Sequence, residues 1–230
     1  MFSATIFDYN GVLVDDEVVH LEAFRDVLVP LGIALSERDY WERYLGFDDA
    51  GAFRAILTDS GRVPTDADIK ALIEAKRPRY LARAKGALRG FPGAAALVRR
   101  RAAEGPVVIV SGALRDEIEL GLGVLDVASA VSAIVSAEDT EHSKPNPEGY
   151  LLGIASLARS LGEGAKRAVV IEDSIAGVEA AKAAGLVCIA VTHSYGREEL
   201  VRAGADLVVE HLGEITEDAL AALAQRSRTA

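Results

Sequence analysis

A carboxylate, a hydroxyl, an ammonium and an acidic pair stand at four places in this chain, three of them where an apolar run ends. Asp8 follows Ala4-Thr5-Ile6-Phe7 and opens the segment Tyr9-Asn10-Gly11-Val12-Leu13-Val14-Asp15. Ser111-Gly112 follows Val107 to Val110, Lys144 stands between Ser143 and Pro145, and Glu172-Asp173 closes Ala168-Val169-Val170-Ile171. A carboxylate can attack phosphorus and carry it as an aspartyl-phosphate. A hydroxyl and an ammonium can hold the phosphoryl oxygens and offset their charge. Backbone N–H groups of Gly11 and Val12 in a turn can do the same without adding charge. Two adjacent carboxylates at a buried strand end repel unless a cation joins them. Mg²⁺ suits them, since it takes oxygen ligands and leaves positions for water and phosphate.

Each residue alone has a plainer reading. Asp8 could cap a turn, Gly11 could serve only as a turn glycine, and Ser111-Gly112 could be an ordinary loop. Lys144 could be a solvated surface charge. Glu172 and Asp173 could be acids placed at a helix N-terminus by the macrodipole, which accounts for one acid better than for two. The functional reading rests on the set.

The set needs a scaffold that brings distant strand ends together. Apolar runs rich in Val and Ile, nearly uninterrupted, read as parallel strands covered on both faces. Residues 4–8 and 12–14 read as a strand broken by a polar turn. From about Asp16 to Lys85 helical spacing takes over, with Val19, Ala23 and Val27 in one stretch and Ile69, Leu72, Ile73 and Tyr80 in another. Pro30 and Gly32 end the first helix, and Gly90-Phe91-Pro92-Gly93 marks the return. Strands are then expected at 107–110, 133–135, 168–171, 186–191 and 207–209. Helices are expected from about Arg115, over 147–161, over 174–184 closed by Gly185, and over 217–226. Single helices between strands imply right-handed βαβ units. The expected fold is a doubly wound parallel α/β sheet, Rossmann-like, formed by residues 1–15 and 87–230, with an inserted helical domain at 16–86. Its carboxyl edge is where such sheets bind ligands. Fraying is expected from about Arg226.

Composition narrows the classes. Half of the 230 residues are apolar, enough for a substantial core. A formal charge of −10 argues against nucleic acid or an anionic membrane as partner. The single cysteine, Cys188, permits no internal disulfide and reads as a small buried hydrophobe, which fits the cytoplasm. No leader segment or membrane-spanning run is apparent. A small-molecule partner and a monomer or small homo-oligomer are expected.

Taken together the motifs resemble the haloacid dehalogenase superfamily over nearly the whole chain. Asp8 to Asp15 matches its Asp-x-Asp-Gly-x-(Val/Thr/Leu)-x-Asp motif except at Asn10. Ser111 matches the second motif, Lys144-Pro145-Asn146-Pro147 the third, and Glu172 to Gly185 the fourth. The insert resembles the family's helical cap, and the nearest branch is that of β-phosphoglucomutase and the phosphoglycolate-type sugar phosphatases. The resemblance implies Asp8 as nucleophile, and Ser111 and Lys144 as grips on the phosphoryl group with Gly112 beside them. It implies Mg²⁺ held by Asp8, the backbone carbonyl of Asn10, Glu172 and Asp173. His20 matches a substrate-facing histidine of the phosphoglucomutase branch; otherwise it lies on an exposed helix face. Arg115 and Lys76 could contact a substrate anion.

Asn10 departs from the family, whose second aspartate there is the general acid–base. An amide cannot take that part, and losing such help costs about 10²–10⁴-fold. The asparagine is natural to a branch where substrate or water supplies the proton, or it is engineered, or it marks a pseudo-enzyme that binds phosphate without turnover. The mutase branch also has a Lys-Asn pair and a cap arginine for a distal phosphate, where this chain has Leu114, Arg115 and Asp49. Hydrolysis is therefore expected over phosphoryl transfer within one substrate. Glu172-Asp173 argues against a dehalogenase. A phosphonatase would need a cap lysine, for which Lys70, Lys76 and Lys85 are available.

Overall fold

The computed structural model describes residues 1–227. In chain order the elements are β1 (Ala4–Phe7), β2 (Val14–Asp15), α1 (Glu17–Leu28), α2 (Glu37–Asp39), α3 (Asp49–Asp59), α4 (Asp66–Ala87), β3 (Arg89–Gly90), α5 (Ala94–Glu104) and β4 (Val107–Val110). There follow α6 (Arg115–Val124), β5 (Ala133–Val135), α7 (Glu148–Leu161), β6 (Ala168–Glu172), α8 (Ile175–Ala183), β7 (Val187–Val191), α9 (Arg197–Arg202), β8 (Leu207–Val209) and α10 (Glu217–Arg226). The fraying expected from about Arg226 falls, beyond Ser227, outside the described residues.

The chain divides into two compact units, Met1–Asp15 with Arg89–Ala230, and Asp16–Leu88. The first is built on a six-stranded sheet in the order β5-β4-β1-β6-β7-β8, every pair parallel. It is the doubly wound α/β fold that the alternation of strands and helices implies. β1 lies between β4 and β6, so the chain winds outward on one side and then returns past β1 to build the other. Such a reversal leaves a crevice at the carboxyl ends of the strands.

The strands are covered on both faces, which is why they carry no polar alternation. Ala4, Ile6, Val108, Val110, Val170, Cys188 and Ala190 point into one apolar cluster with Tyr150 and Leu157 of α7 and Val178 and Ala181 of α8. On the other face Arg101 of α5 donates from Nε to Thr5 Oγ1 at 3.0 Å and pairs with Glu217 of α10. Cys188 is a buried free thiol.

The second half of the split first strand departs from expectation. Residues 11–13 form a turn, and β2 pairs antiparallel with β3, outside the main sheet. Gly11 takes φ +73°, and Leu13 N donates back to Tyr9 O at 2.8 Å. Val12 and Leu13 are apolar because the turn is buried, not because it is extended.

In the helical unit, Leu21, Phe24, Val27 and Leu28 of α1 pack with Tyr40, Tyr44, Phe53, Ile56 and Leu57 and with Ile69 of α4. A 3₁₀ turn at Val29–Leu31 and Gly32, at φ 72°, stop α1 where Pro30 and Gly32 predict. α4 opens on a Thr65–Asp68 capping box and runs unbroken through Pro78. Among the described residues no helix is long and apolar enough to cross a membrane.

Candidate active site

The sheet places the reactive groups of the core unit. Asp8 follows β1 directly and is pinned by its own amide, which donates to Ile171 O at 2.9 Å. Ser111 follows β4, its amide donating to Val135 O at 3.0 Å. Glu172 ends β6 and Asp173 comes next. All these strands are parallel, so their carboxyl ends meet at one edge.

Lys144 reaches that edge from the segment between β5 and α7. Its Nζ lies 2.6 Å from Asp8 Oδ1 and 2.6 Å from Glu172 Oε1. Glu172 is held on every side: Tyr150 Oη donates to Oε1 at 2.7 Å, while the amides of Asp173 and Ser174 and the Ser174 hydroxyl donate to Oε2 at 2.9, 3.1 and 3.1 Å. The Ser194 hydroxyl donates to Asp173 Oδ2. Ser111 Oγ donates to Asn10 Oδ1 at 3.2 Å and accepts from the Ala113 amide at 3.1 Å.

Close backbone approach makes the arrangement possible. A Cβ on Gly11 would lie 2.0 Å from Asp173 Oδ2, and one on Gly177 would lie 1.8 Å from Glu172 Oε1. Gly11 also has the positive φ that other residues resist. Its N–H donates to Val14 O at 3.0 Å, so that donor closes the turn and is not available to a ligand as expected. Val12 is buried in the same turn and Gly112 is exposed beside Ser111.

The charges are unbalanced. Ligand oxygens of Asp8, Glu172 and Asp173 lie within 4.8 Å of one another, all three residues buried, and Lys144 is the cation among them. Burial pushes the Asp8 carboxyl up to about 7, with Glu172 adding to the rise and Lys144 opposing it. Burial, with Glu172 and Asp8 nearby, holds Asp173 well above the carboxylate range. Burial also works against the charge of Glu172, but Lys144 and the hydrogen bonds outweigh it and lower its pKa. Lys144 is held above its usual value by the two carboxylates despite burial. A site of hard oxygen donors with surplus negative charge fits Mg²⁺.

Of the other expected site residues, Arg115 is engaged elsewhere. Its guanidinium lies 2.6 Å from Asp139 Oδ2 and 3.2 Å from the Ile134 carbonyl. His20 and Lys76 meet inside the helical unit. His20 is not on an exposed face: it is buried, with Nε2 3.2 Å from Asp16 Oδ2 and Nδ1 2.8 Å from Lys76 Nζ. Lys76 is fully buried and pairs with Asp49 Oδ1 at 2.5 Å. Because a lysine ammonium only donates, Nδ1 accepts and Nε2–H faces Asp16.

Tyr150, Ser194 and His193 were not anticipated. Ser194 lies three residues beyond the last residue of β7, Val191, whereas Ser111 comes directly after Val110, so the strand-end signal that marked Ser111 does not single it out. Tyr150 sits in the first turn of α7, and nothing in the sequence aims it at Glu172. His193 Nδ1 lies 2.7 Å from Gly11 O, and its ring stacks on Phe91 with centroids 3.8 Å apart.

Comparison with known proteins identifies the family. The haloacid dehalogenase-like hydrolase family matches residues 5–191. The chain is 32% identical to SUPPRESSOR OF QUENCHING 1 of Arabidopsis thaliana over 93% of its own length, spanning only 20% of that protein. It is 30% identical to CbbY of Cereibacter sphaeroides, covering 94% of each chain. It is 28% identical to hexitol phosphatase B of Escherichia coli, covering 93% of this chain and 94% of that one. Among solved structures, an aspartate-to-asparagine mutant of CbbY from Rhodobacter sphaeroides, in complex with xylulose-1,5-bisphosphate, superposes with a TM-score of 0.79 at 27% identity, covering 94% and 96%. The chain belongs to the haloacid dehalogenase-like hydrolases. Within that family it stands in the phosphoglucomutase and phosphatase branch.

Proposed function

We propose that this chain is a Mg²⁺-dependent phosphatase that hydrolyses a small phosphate monoester through an aspartyl-phosphate on Asp8. The observation that carries the reading is Lys144 held 2.6 Å from Asp8 within a buried three-carboxylate cluster. Lys144 ties down Asp8 Oδ1 and so leaves Oδ2 to attack phosphorus. Ser111 and Lys144 orient the phosphoryl oxygens, and Lys144 offsets part of their charge. Mg²⁺, held by Asp8, Glu172, Asp173 and the backbone carbonyl of Asn10, would draw charge from the phosphoryl oxygens. The helical unit, with His20 and Lys76, serves as the cap that sets substrate choice. The named relatives support a substrate of the sugar-phosphate or phosphoglycolate kind. We place the activity in the cytoplasm, in a monomer or small homo-oligomer without nucleic-acid or membrane partners.

Asn10 supports a second reading, a phosphate-binding protein with little turnover, because the amide supplies no acid–base help. A phosphomutase of the β-phosphoglucomutase type is less favoured. Lys76 is already neutralised by Asp49 and Arg115 by Asp139, which leaves little cationic grip for a second phosphate.

The test is phosphate release from a panel of sugar phosphates and phosphoglycolate with Mg²⁺, comparing the chain, Asn10→Asp and Asp8→Asn. Hydrolysis by the chain that Asp8→Asn abolishes supports the phosphatase. Release by Asn10→Asp alone supports the binding protein. Release unaffected by Asp8→Asn rules out the aspartyl-phosphate route.

A further inference from the structure

We infer that this chain takes phosphate from an oxygen that leaves without being protonated: an acyl, enol or aryl phosphate, or the anomeric phosphate of a sugar rather than that of a primary alcohol. The inference rests on the hydrolytic reading and names the substrate class for the same site.

When Asp8 attacks, a bond forms between its oxygen and phosphorus, and the bond from phosphorus to the ester oxygen breaks. The ester oxygen departs with the bonding pair. An alkoxide is so basic that it leaves slowly unless a proton reaches it as the bond breaks. A carboxylate, enolate, phenolate or hemiacetal oxygen is less basic and needs that proton less.

Among the described residues, the hydrogen-bonding side chains found around Asp8 direct their hydrogens elsewhere. Asn10, two residues along, carries an amide, which does not titrate, and its Oδ1 accepts from Ser111 at 3.2 Å. The Ser111 hydroxyl hydrogen is therefore directed at Asn10 and, in the hydrolytic reading, at a phosphoryl oxygen rather than at the ester oxygen. Lys144 donates to Asp8 and to Glu172 at 2.6 Å each, and without its charge those buried carboxylates would face each other unpaired. The hydroxyls of Tyr150 and Ser194 donate to Glu172 and Asp173. His193 lies with Nδ1 at the Gly11 carbonyl and its ring against Phe91. The hydrogens that these side chains are seen to donate thus go to acidic or amide oxygens.

In the second half of the reaction, water attacks the aspartyl-phosphate. The phosphorus–oxygen bond to Asp8 breaks, the carboxylate is restored, and the proton shed by water goes to solvent. That half is common to every substrate. The leaving group therefore enters kcat/KM but not the final step, and a reactive ester releases its leaving group in a burst ahead of steady turnover.

The experiment measures kcat/KM with Mg²⁺ for substituted phenyl phosphates, acetyl phosphate and glycerol phosphate, using the chain, Asn10→Asp, His193→Gln and Asp8→Asn. The expected result is a steep fall in kcat/KM as the leaving oxygen becomes more basic. Asn10→Asp should flatten it, gaining about 10²–10⁴-fold on glycerol phosphate and little on acetyl phosphate. Equal slopes for the chain and Asn10→Asp would overturn the inference and leave the phosphatase reading intact. A steeper slope in His193→Gln would also overturn it, by identifying a proton donor. If no form releases phosphate from any of these compounds, or if Asp8→Asn releases it as fast as the chain, the phosphatase reading fails and the inference with it.

Discussion

Lys144 Nζ and Asp8 Oδ1 lie 2.6 Å apart though 136 residues separate them in sequence. The pair joins the end of β1 to the segment ahead of α7, and Glu172 completes it from β6. The ammonium is thus both a grip for phosphate and a counter-charge for the fold. Lys144→Ala is expected to destabilise the protein by about 3–5 kcal/mol, the usual cost of leaving buried charge unpaired. It should also abolish turnover. Lys144→Arg should restore neither, because a planar fork does not replace a compact charge between two carboxylates. Urea unfolding and phosphate release check both outcomes.

Asp8 has its pKa raised from 3.8 to about 7, and that of Asp173 is raised too. A carboxyl protonated more readily in the folded state than in the unfolded one stabilises the fold fully below its ordinary pKa. The contribution is lost as pH rises through the folded value. Metal-free protein should therefore lose stability between about pH 4 and pH 7. Glu172 has the opposite sign: its contribution is present above its ordinary value of 4.5 and is lost as pH falls below it. Urea midpoints measured in EDTA across this range test the drop, which Asp8→Asn should reduce.

Metal binding must displace those protons. Titration of Mg²⁺ at pH 6.5 should release protons, seen as a dependence of the measured heat on the buffer's ionisation enthalpy. The release should shrink at pH 8.5. Equal release at both values would mean that Asp8 is ionised before metal arrives.

Gly177→Ala is expected to weaken Mg²⁺ binding more than it alters helix α8. The added Cβ would lie 1.8 Å from Glu172 Oε1, so the carboxylate must move and shed its hydrogen bonds to Tyr150 and Lys144. Gly11→Ala should be worse, combining contact with Asp173 and a φ of +73°. Mg²⁺ affinity by calorimetry, beside the melting temperature, separates ligand displacement from loss of fold.

In the helical unit Asp49→Ala leaves the fully buried Lys76 ammonium without its anion. A loss of about 3–5 kcal/mol is expected. The double change Asp49→Leu with Lys76→Met should recover most of it, since a buried pair replaced by apolar groups is often neutral. Thermal unfolding of the single and double variants gives the coupling.

The alternation of elements was legible because buried parallel strands leave unmistakable Val and Ile runs. Residues 12 and 13 were misread as strand, though they belong to the turn that Gly11 opens, because they are as apolar as a buried strand. Burial explains that composition, and only the φ of Gly11 and the hydrogen bond from Leu13 to Tyr9 reveal a turn. Asp8, Ser111, Glu172 and Asp173 were legible from their places at strand ends. Arg115 was not: its charge suggested an anion, but Asp139 takes it through a tertiary ion pair. His20 carried no mark of burial, because Asp16, Lys76 and Tyr80 come to it from both ends of the helical unit.

By itself the sequence determined the family, the strand-ends that carry reactive groups, and the amide at residue 10. These are local facts of residue type and period. Only the tertiary structure decided which charges meet. It set Lys144 against Asp8 and Glu172, closed Lys76 with Asp49, and committed the hydroxyls of Ser111, Tyr150 and Ser194. Such pairings depend on distances between segments far apart in the chain, and electrostatic energy depends on those distances and on burial, neither of which a linear order of residues contains.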